Sequence, residues 1–236
     1  MAQIDGDIDA SVGELVFDLP GGGRALFTDR RNGNLSMSAG EGHERGLQRR
    51  HGLCQTLGLS WLCASPQVHG ADVQRVTRLT GSRGHPAATD ADGHATALYD
   101  IGTMALGADC LPIALGCEGA VAMVHAGWRG LAAGVIEEGT RAIRELGDGE
   151  EIVAVVGPGA GACCYEVGEE VHRVFAGAHR HGRNIDLQAI AHDRLSAAGV
   201  ADVRVVAACT VCDVRFFSHR REGARAGRQA GVAWLS

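Results

Sequence analysis

The sequence contains no lysine, and all 22 of its basic residues are arginines. A Walker A loop needs a phosphate-binding lysine, and pyridoxal enzymes and Schiff-base aldolases need a lysine amine as their covalent partner. The absence of lysine therefore excludes these classes of enzyme. Arginine still offers a planar and permanently charged group that binds phosphate or carboxylate, so anionic substrates remain open.

The sequence also lacks long apolar runs and an excess of positive charge. No stretch approaches the roughly 18 apolar residues of a membrane-spanning helix. The formal net charge of −6 argues against binding to nucleic acid or to an anionic membrane, because both need clustered positive charge. The first ten residues, MAQIDGDIDA, are acidic where a secretory signal would be basic. We therefore expect a cytoplasmic protein, monomeric, that acts on small molecules.

Length and composition favour a single folded domain. Hydrophobic residues make up 45% of the 236 residues and charged residues 21%, which is enough apolar material for a core. Single α/β domains commonly reach about 250 residues. The loose stretch Gly81–Asp90 and the Gly/Arg-rich piece Arg221–Arg228 are too short to be convincing linkers. We expect one domain over residues 1–236.

Apolar periodicity predicts a mixture of strands and helices. The predicted strands are Glu14–Asp18, Arg24–Thr28, Asp72–Thr77, Gly102–Leu106, Leu111–Leu115, Ala120–Val124, Ile152–Val156, Val203–Ala207 and Val232–Leu235. The predicted helices cover roughly residues 43–57, 129–146, 166–177 and 186–198. This order is neither a regular βαβ alternation nor an all-β pattern, so we expect an α/β fold with mixed sheets flanked by helices.

Three residues with metal-binding side chains lie in turn-rich segments beside apolar strands: His69, Cys110 and His125. Two imidazoles and one thiolate are a good donor set for zinc, and they leave a fourth position for water or substrate. The alternative is a core cysteine and two hydrogen-bonded histidines at strand ends. Spacing alone does not exclude it, because eleven histidines give many accidental triplets.

Arg129 follows His125 at the predicted start of a helix, where free amides and the helix dipole favour an anion. We therefore expect Arg129 to hold a phosphate. The alternative is that Trp128 packs in the core while Arg129 extends to solvent.

The other cysteines and the Asp90–Gly93 segment give weaker signals. Cys209 and Cys212 have the spacing of redox and zinc sites, but no second CxxC motif exists to complete a structural zinc site. We interpret the adjacent pair Cys163 and Cys164 as packing or supporting residues, since neighbouring thiols do not comfortably form a disulfide. Asp90–Gly93 is interpreted as a turn rather than a calcium loop.

Five segments occur in the order seen in one family: QVHGADV, TMALGADCLPIAL, AMVHAGWRGLAAGV, VVGPGAGACCYEVGEEV and FFSHRREGARAGR. The chain resembles the laccase-domain proteins, which are described as purine nucleoside phosphorylases and, in some bacteria, as peptidoglycan editing factors. The resemblance extends from Phe27 to Leu235. One departure is the shortened loop after Arg30, where Ser36 stands in place of the usual asparagine, so we expect a remodelled wall of the active site.

The resemblance implies a four-layer α/β/β/α fold. It implies that His69, Cys110 and His125 form the metal-binding and catalytic set, with zinc expected and copper as the less favoured metal. The implied activities are phosphorolysis of adenosine, inosine, guanosine and methylthioadenosine, together with deamination of adenosine. For the phosphate we expect a clamp of arginines, which match phosphate oxygens two at a time. The candidates are Arg129, Arg30 and Arg220.

Two other functions remain open on the same residues. A cysteine hydrolase or amidase acting on a peptidoglycan precursor would use Cys110 as nucleophile and His125 as base. A metal-stabilised binding protein without turnover would use the three ligands only to hold the fold. Genuine multicopper oxidation is not expected, because such centres need several clusters of closely spaced histidines and the sequence has a single His-x-His pair, His179 and His181.

Overall fold

The computed structural model describes residues 15–39, 42–78 and 89–236 of the chain. The acidic N-terminal segment and residues 81–88 of the predicted loose stretch lie outside the described residues.

Within these described ranges, eleven strands form two sheets. The first sheet has the order β1 (Leu15–Asp18), β2 (Gly23–Phe27), β13 (Gln229–Leu235), β6 (Ile101–Gly107) and β3 (Trp61–Cys63). The second has the order β12 (Asp202–Val205), β9 (Val153–Val156), β7 (Leu111–Cys117), β8 (Ala120–Ala126), β5 (Gly93–Thr96) and β4 (Val73–Val76). Both sheets are mixed, since β3 pairs parallel with β6, and β4 with β5, among otherwise mainly antiparallel neighbours. Strands β10 (Arg180–His181) and β11 (Asn184–Ile185) form a separate hairpin.

The helices of the described residues are α1 (His43–Leu57), α2 (Trp128–Ala133), α3 (Val135–Leu146), α4 (Glu169–Val174), α5 (Leu187–Ala197) and α6 (His219–Glu222). None of these helices combines the length and the apolar character that crossing a bilayer requires.

The two sheets pack face to face, and helices cover their outer faces. Alternation along each strand directs Phe27, Met123 and Val155 into the layer between the sheets. On the outer face of the second sheet, Ile113 and its neighbours pack against α3 and α5. On the outer face of the first sheet, Met104 belongs to a cluster that includes Leu53 and Leu57 of α1. These layers confirm the predicted α/β/β/α fold.

All nine predicted strands are present, but the helix predicted over residues 129–146 is two helices. Gly134 has a φ of 96° and ends α2 in the left-handed conformation, after which α3 begins at the next residue. The predicted helix at residues 166–177 is limited to α4. Strands β3, β5, β10 and β11 are additions, each too short to give a clear apolar pattern.

Candidate active site

A cavity of about 900 Å³ opens where β6 ends, β7 begins and β8 ends. Its volume falls within the range of small-molecule sites, about 300–1,000 Å³. The residues that line it come from many parts of the chain and include the loop at residues 36–39, the start of α2, Tyr165, and residues of α6. Several remote segments therefore meet at one end of the two sheets.

Sheet pairing places Cys110 beside His125. Strands β7 and β8 are antiparallel with Pro112 opposite His125, so the residue that precedes β7 lies at the end of β8. His69 comes from the loop between β3 and β4. The ligand atoms of the three residues all lie within 4.8 Å of one another. The structure thus brings the three predicted residues together, while their role as ligands stays a prediction.

Asp92 organises this cluster, and the sequence analysis missed it by interpreting Asp90–Gly93 as a turn. Its carboxylate is 1% exposed and accepts a hydrogen bond from Nδ1 of His125 at 2.8 Å. The same carboxylate accepts backbone N–H groups of His69 at 2.9 Å and of Gly70 at 2.7 Å. His69 has a φ of 60°, a conformation that non-glycine residues rarely adopt. The carboxylate therefore holds the loop in this shape.

Asp92 had no clear signal in the sequence, because β5 is too short to show an apolar pattern. Asp92 stands directly before the residues Gly93–Thr96, all of which are buried in β5. A carboxylate at the start of a buried strand needs hydrogen-bond partners, because burying an unpaired charge is costly. The histidines of the predicted cluster were available as such partners.

Two uncharged residues allow the close packing of the cluster. A Cβ atom at Gly127 would lie 2.9 Å from Sγ of Cys110 and 3.1 Å from Cδ2 of His69, so only glycine fits there. The side-chain amide of Gln67 forms two hydrogen bonds of 2.8 Å with the backbone of Leu106, its nitrogen donating and its oxygen accepting. Gln67 therefore ties the loop of His69 to β6.

Asp109 positions Cys110 from the other side. Its φ is 96°, a strained value for a residue with a side chain. Its carboxylate accepts hydrogen bonds of 2.7 Å from Oγ1 of Thr210 and from the backbone N–H of Arg220. Its carbonyl oxygen accepts the N–H of Ala160 at 2.8 Å. Contacts with three remote residues therefore fix the backbone immediately before Cys110.

Cys110 and His125 shift the pKa values of each other. Burial raises the pKa of the Cys110 thiol, but the charge and hydrogen bonds of His125 and His69 outweigh it and lower the pKa to about 6. Burial lowers the pKa of His125, but the Cys110 thiolate and the Asp92 carboxylate raise it to about 9. Without a bound cation, the pair therefore favours a thiolate and an imidazolium at neutral pH.

The donor set fits a zinc ion. The carboxylate of Asp92 accepts the Nδ1 proton of His125, which leaves Nε2 as the ligand atom of that ring. Two imidazoles and one thiolate, all on the wall of an open cavity, match a catalytic zinc site that keeps one position for water or substrate.

Four arginines line the cavity, and in the described part of the chain Asp109 is the only carboxylate that does so. Arg129 stacks over the Trp128 ring at 4.3 Å, and Arg220 over the Tyr165 ring at 4.7 Å. The other two, Arg50 and Arg228, were not predicted. The cavity is therefore positively charged in a chain whose formal net charge is −6.

The structure does not bring Arg30 to this cavity. Its guanidinium group pairs with Glu222, donates to the carbonyl oxygen of Phe216 at 3.0 Å and stacks over the Phe217 ring at 4.3 Å. These contacts hold Arg30 among residues near α6, whereas Arg129 and Arg220 both line the cavity.

The shortened loop after Arg30 forms a wall of the cavity through residues 36–39. Ser36 is 4% exposed, and its Oγ accepts the N–H groups of Ser38 at 3.2 Å and Ala39 at 3.0 Å. Oδ1 of Asn34 accepts the N–H groups of Ser36 at 3.0 Å and Arg228 at 2.8 Å. The loop is therefore stabilised by its own polar side chains.

Comparisons with known proteins show the family to which the chain belongs. Residues 23–236 match the family model described as "Multi-copper polyphenol oxidoreductase laccase". A Xylella fastidiosa (strain Temecula1) protein named "Purine nucleoside phosphorylase" is 39% identical to this chain. The alignment covers 92% of this chain and 89% of that protein. A Streptomyces coelicolor relative named as a purine nucleoside phosphorylase is 33% identical over 92% of this chain and 98% of its own.

The fold is similar to that of a crystal structure from Neisseria meningitidis, with a TM-score of 0.81 and 30% sequence identity. The alignment covers 94% of this chain and 99% of that one. The likeness therefore extends over the whole architecture of two sheets and flanking helices.

Replacing Asp92 with asparagine should weaken metal binding by about 10- to 100-fold, the usual effect of losing a carboxylate that orients a ligand histidine. The amide keeps one acceptor but loses the charge that holds His125 and the loop of His69. The zinc dissociation constant, measured by competition with a chelator, tests this expectation. Asp18→Asn is the control, because the Asp18 side chain is 91% exposed on β1. Equal zinc affinity of Asp92→Asn and wild type would contradict the role of Asp92.

In metal-free protein, alkylation of Cys110 by iodoacetamide should have its midpoint near pH 6. Below this pH the thiol is protonated and reacts slowly, and above it the thiolate reacts fast. His125→Gln should move the midpoint upward. Burial raises the pKa of Cys110, and without His125 only His69 remains to lower it. Peptide mass spectrometry gives both rates, and Cys54 is an internal control because burial raises its pKa. A Cys110 midpoint close to that of Cys54 would contradict the thiolate–imidazolium pair.

Proposed function

Because the chain belongs to the family described as multi-copper polyphenol oxidoreductase laccases and resembles bacterial proteins named purine nucleoside phosphorylases, we propose that it is a purine nucleoside phosphorylase. We include deamination of adenosine in the proposal, with adenosine, inosine, guanosine and methylthioadenosine as substrates of phosphorolysis. The observation that carries it is one cavity that holds both the cluster of His69, Cys110 and His125 and a group of arginines.

The arginines supply the phosphate site. Guanidinium groups bind phosphate oxygens two at a time, and stacking on aromatic rings fixes their planes before the anion arrives. Arg129 over Trp128 and Arg220 over Tyr165 have this arrangement. Asp109 also fixes the backbone of Arg220. We therefore assign phosphate binding to Arg129 and Arg220 and leave Arg30 out of the clamp.

The same cavity offers contacts for the nucleoside. Met37, Trp128 and Tyr165 line it and offer apolar and aromatic contact for a purine ring. In phosphorolysis a phosphate oxygen forms a bond to C1′ of the ribose, and the glycosidic bond breaks with its electron pair going to the base. The base then takes up a proton. Arginines that hold phosphate against the sugar bring the reacting atoms together and thereby lower the barrier.

The residues that would hold zinc are His69, Cys110 and His125. A zinc ion held there would supply Lewis acidity to the cavity. Asp92 keeps the Nδ1 proton on His125 and so presents Nε2 to the cluster. In deamination, water adds at C6 of adenine and ammonia leaves. The cavity must therefore admit water beside the base. The side chain of His69 is exposed, so water can reach the cluster from that side.

Zinc suits the site better than copper. Multicopper oxidation needs several copper centres with clustered histidines. Among the described residues, one group of close potential ligands contains histidine, and it contains two. We therefore propose zinc despite the description of the family.

One observation favours a second function. The low pKa of Cys110 and the high pKa of His125 give the charge state of a cysteine nucleophile paired with a histidine. In that case Cys110 would attack a carbonyl carbon of a peptidoglycan precursor, and His125 would donate a proton to the leaving amine.

Product analysis of purified protein with adenosine and phosphate tests the proposal. Adenine and ribose 1-phosphate indicate phosphorolysis, and inosine indicates deamination. Cys110→Ser should lower zinc content and both activities together, because a neutral hydroxyl is a much poorer zinc ligand than a thiolate.

The same variant separates a ligand from a nucleophile. A Cys110→Ser protein that keeps full zinc but is inactive, together with a covalent adduct on Cys110 in wild type, would contradict the ligand role and favour the hydrolase. Absence of any nucleoside product in wild type with bound zinc would contradict the phosphorylase.

Replacing Arg129 with lysine keeps the charge but loses the two-pronged contact with phosphate. Charge-assisted hydrogen bonds contribute about 1.5–3 kcal/mol each, so the KM for phosphate should rise roughly 10- to 100-fold. Initial rates at varied phosphate concentration measure this change. Arg141→Lys is the matched control, because Arg141 lies on the outer helix α3 with its side chain 63% exposed. An unchanged phosphate dependence would remove Arg129 from the site.

A further inference from the structure

Four cysteines outside the cavity form a second cluster. The Sγ atoms of Cys163, Cys164, Cys209 and Cys212 all lie within 4.8 Å of one another. The sequence analysis treated the two pairs as unrelated, and the structure corrects this. Strands β9 and β12 are parallel neighbours, so the loops that follow them leave the sheet at the same edge. Each loop carries one pair.

The spacing of the sulfur atoms fits a single tetrahedral ion. Four thiolates at about 2.3 Å from a zinc ion lie roughly 3.8 Å from one another. Sγ of Cys212 lies 3.5 Å from Sγ of Cys163 and 3.0 Å from that of Cys164. Small rotations of the side chains would therefore equalise the four distances around one centre.

The backbone near the cluster suits negatively charged sulfur. The N–H of Gly161 donates to Sγ of Cys209 at 3.2 Å. A Cβ atom at Gly161 would lie 3.1 Å from Cβ of Cys209, which is closer than an ordinary contact, so glycine lets the chain pass close to this cysteine. Thr210 lies between the members of the CxxC pair, and its N–H donates to the carbonyl oxygen of Gly159 at 2.9 Å. The two loops are thus joined beside the cluster.

We infer that Cys163, Cys164, Cys209 and Cys212 bind one zinc ion as a tetrathiolate centre, separate from the cluster in the cavity. A disulfide accounts for the arrangement less well, because Cys212 has two close sulfur neighbours and could bond to only one of them. Closed shells of four cysteines are typical of zinc ions that stabilise structure.

Such an ion would fix one wall of the cavity. Tyr165, which lines the cavity, follows Cys164 directly in the sequence. Thr210, between Cys209 and Cys212, donates its hydroxyl to Asp109, the residue before Cys110. Both loops thus connect the tetrathiolate centre to residues of the cavity. The role of this ion is structural, and it does not depend on which reaction the cavity catalyses.

Metal analysis of the purified full chain tests the inference. We expect two zinc ions per chain in wild type, and one in Cys212→Ser, which removes a tetrathiolate ligand but leaves the cavity cluster complete. Cys110→Ser should also lose one ion, from the cavity. Cys54→Ser is the matched control and should keep both, because Cys54 lies on α1 outside both clusters. A zinc content that Cys212→Ser leaves unchanged would overturn the inference.

If Cys212→Ser does not fold, a second measurement tests the proposal in protein that keeps all four cysteines of the cluster. Cobalt-substituted Cys110→Ser should show the strong thiolate-to-metal absorption of a cobalt ion with four sulfur ligands. Absence of this absorption in a folded protein that binds cobalt would contradict the proposal. Mass spectrometry of wild type as purified, alkylated and digested without reduction, should find no bond between Cys164 and Cys212. A disulfide there, or iron in place of zinc in protein as purified, would also overturn it.

Discussion

The buried carboxylate of Asp92 is the interaction on which the rest of the site depends. Burial raises its pKa, but hydrogen bonds from His125 and Gly70 outweigh burial and hold the pKa below its usual range. A buried charge persists only where donors surround it, and here the donors are the backbone of the loop that carries His69 and the ring of His125. One group therefore sets the conformation of the loop, the orientation of the ring and, through His125, the charge of Cys110.

The second constraint is the use of arginine for every positive charge. Lysine would bring a flexible and strongly hydrated point charge, whereas a guanidinium group has a plane that an aromatic ring can hold. Trp128 and Tyr165 do this for Arg129 and Arg220. The chain as a whole has a formal net charge of −6, which is opposite in sign to the four arginines of this cavity. The field that an anion meets is therefore local to the cavity.

Local patterns predicted the elements well, and contacts between remote segments poorly. Strands β7 and β8 have long buried apolar runs that are visible in sequence. Residue type and a turn-rich setting singled out His69, Cys110 and His125, and the family resemblance joined them in one site, but nothing local indicated that Asp92 would meet them. Sheet order decides such contacts, and it also joins the two cysteine pairs after β9 and β12. Arg30 was a candidate because arginine matches phosphate oxygens, yet the acidic partner that holds it, Glu222, is remote in sequence.

The assembly of the cluster from separate segments has a consequence for how the chain reaches its native state. His69, Asp92, Cys110 and His125 meet only after β5 has paired with β8 and β8 with β7. An unfolded chain therefore offers no preformed site, and the free energy of metal binding adds to the free energy of folding. Contacts this distant in sequence form slowly, because closing long loops costs entropy before any contact compensates for it. A metal ion would therefore bind and stabilise only those chains in which the strands of the second sheet have already paired.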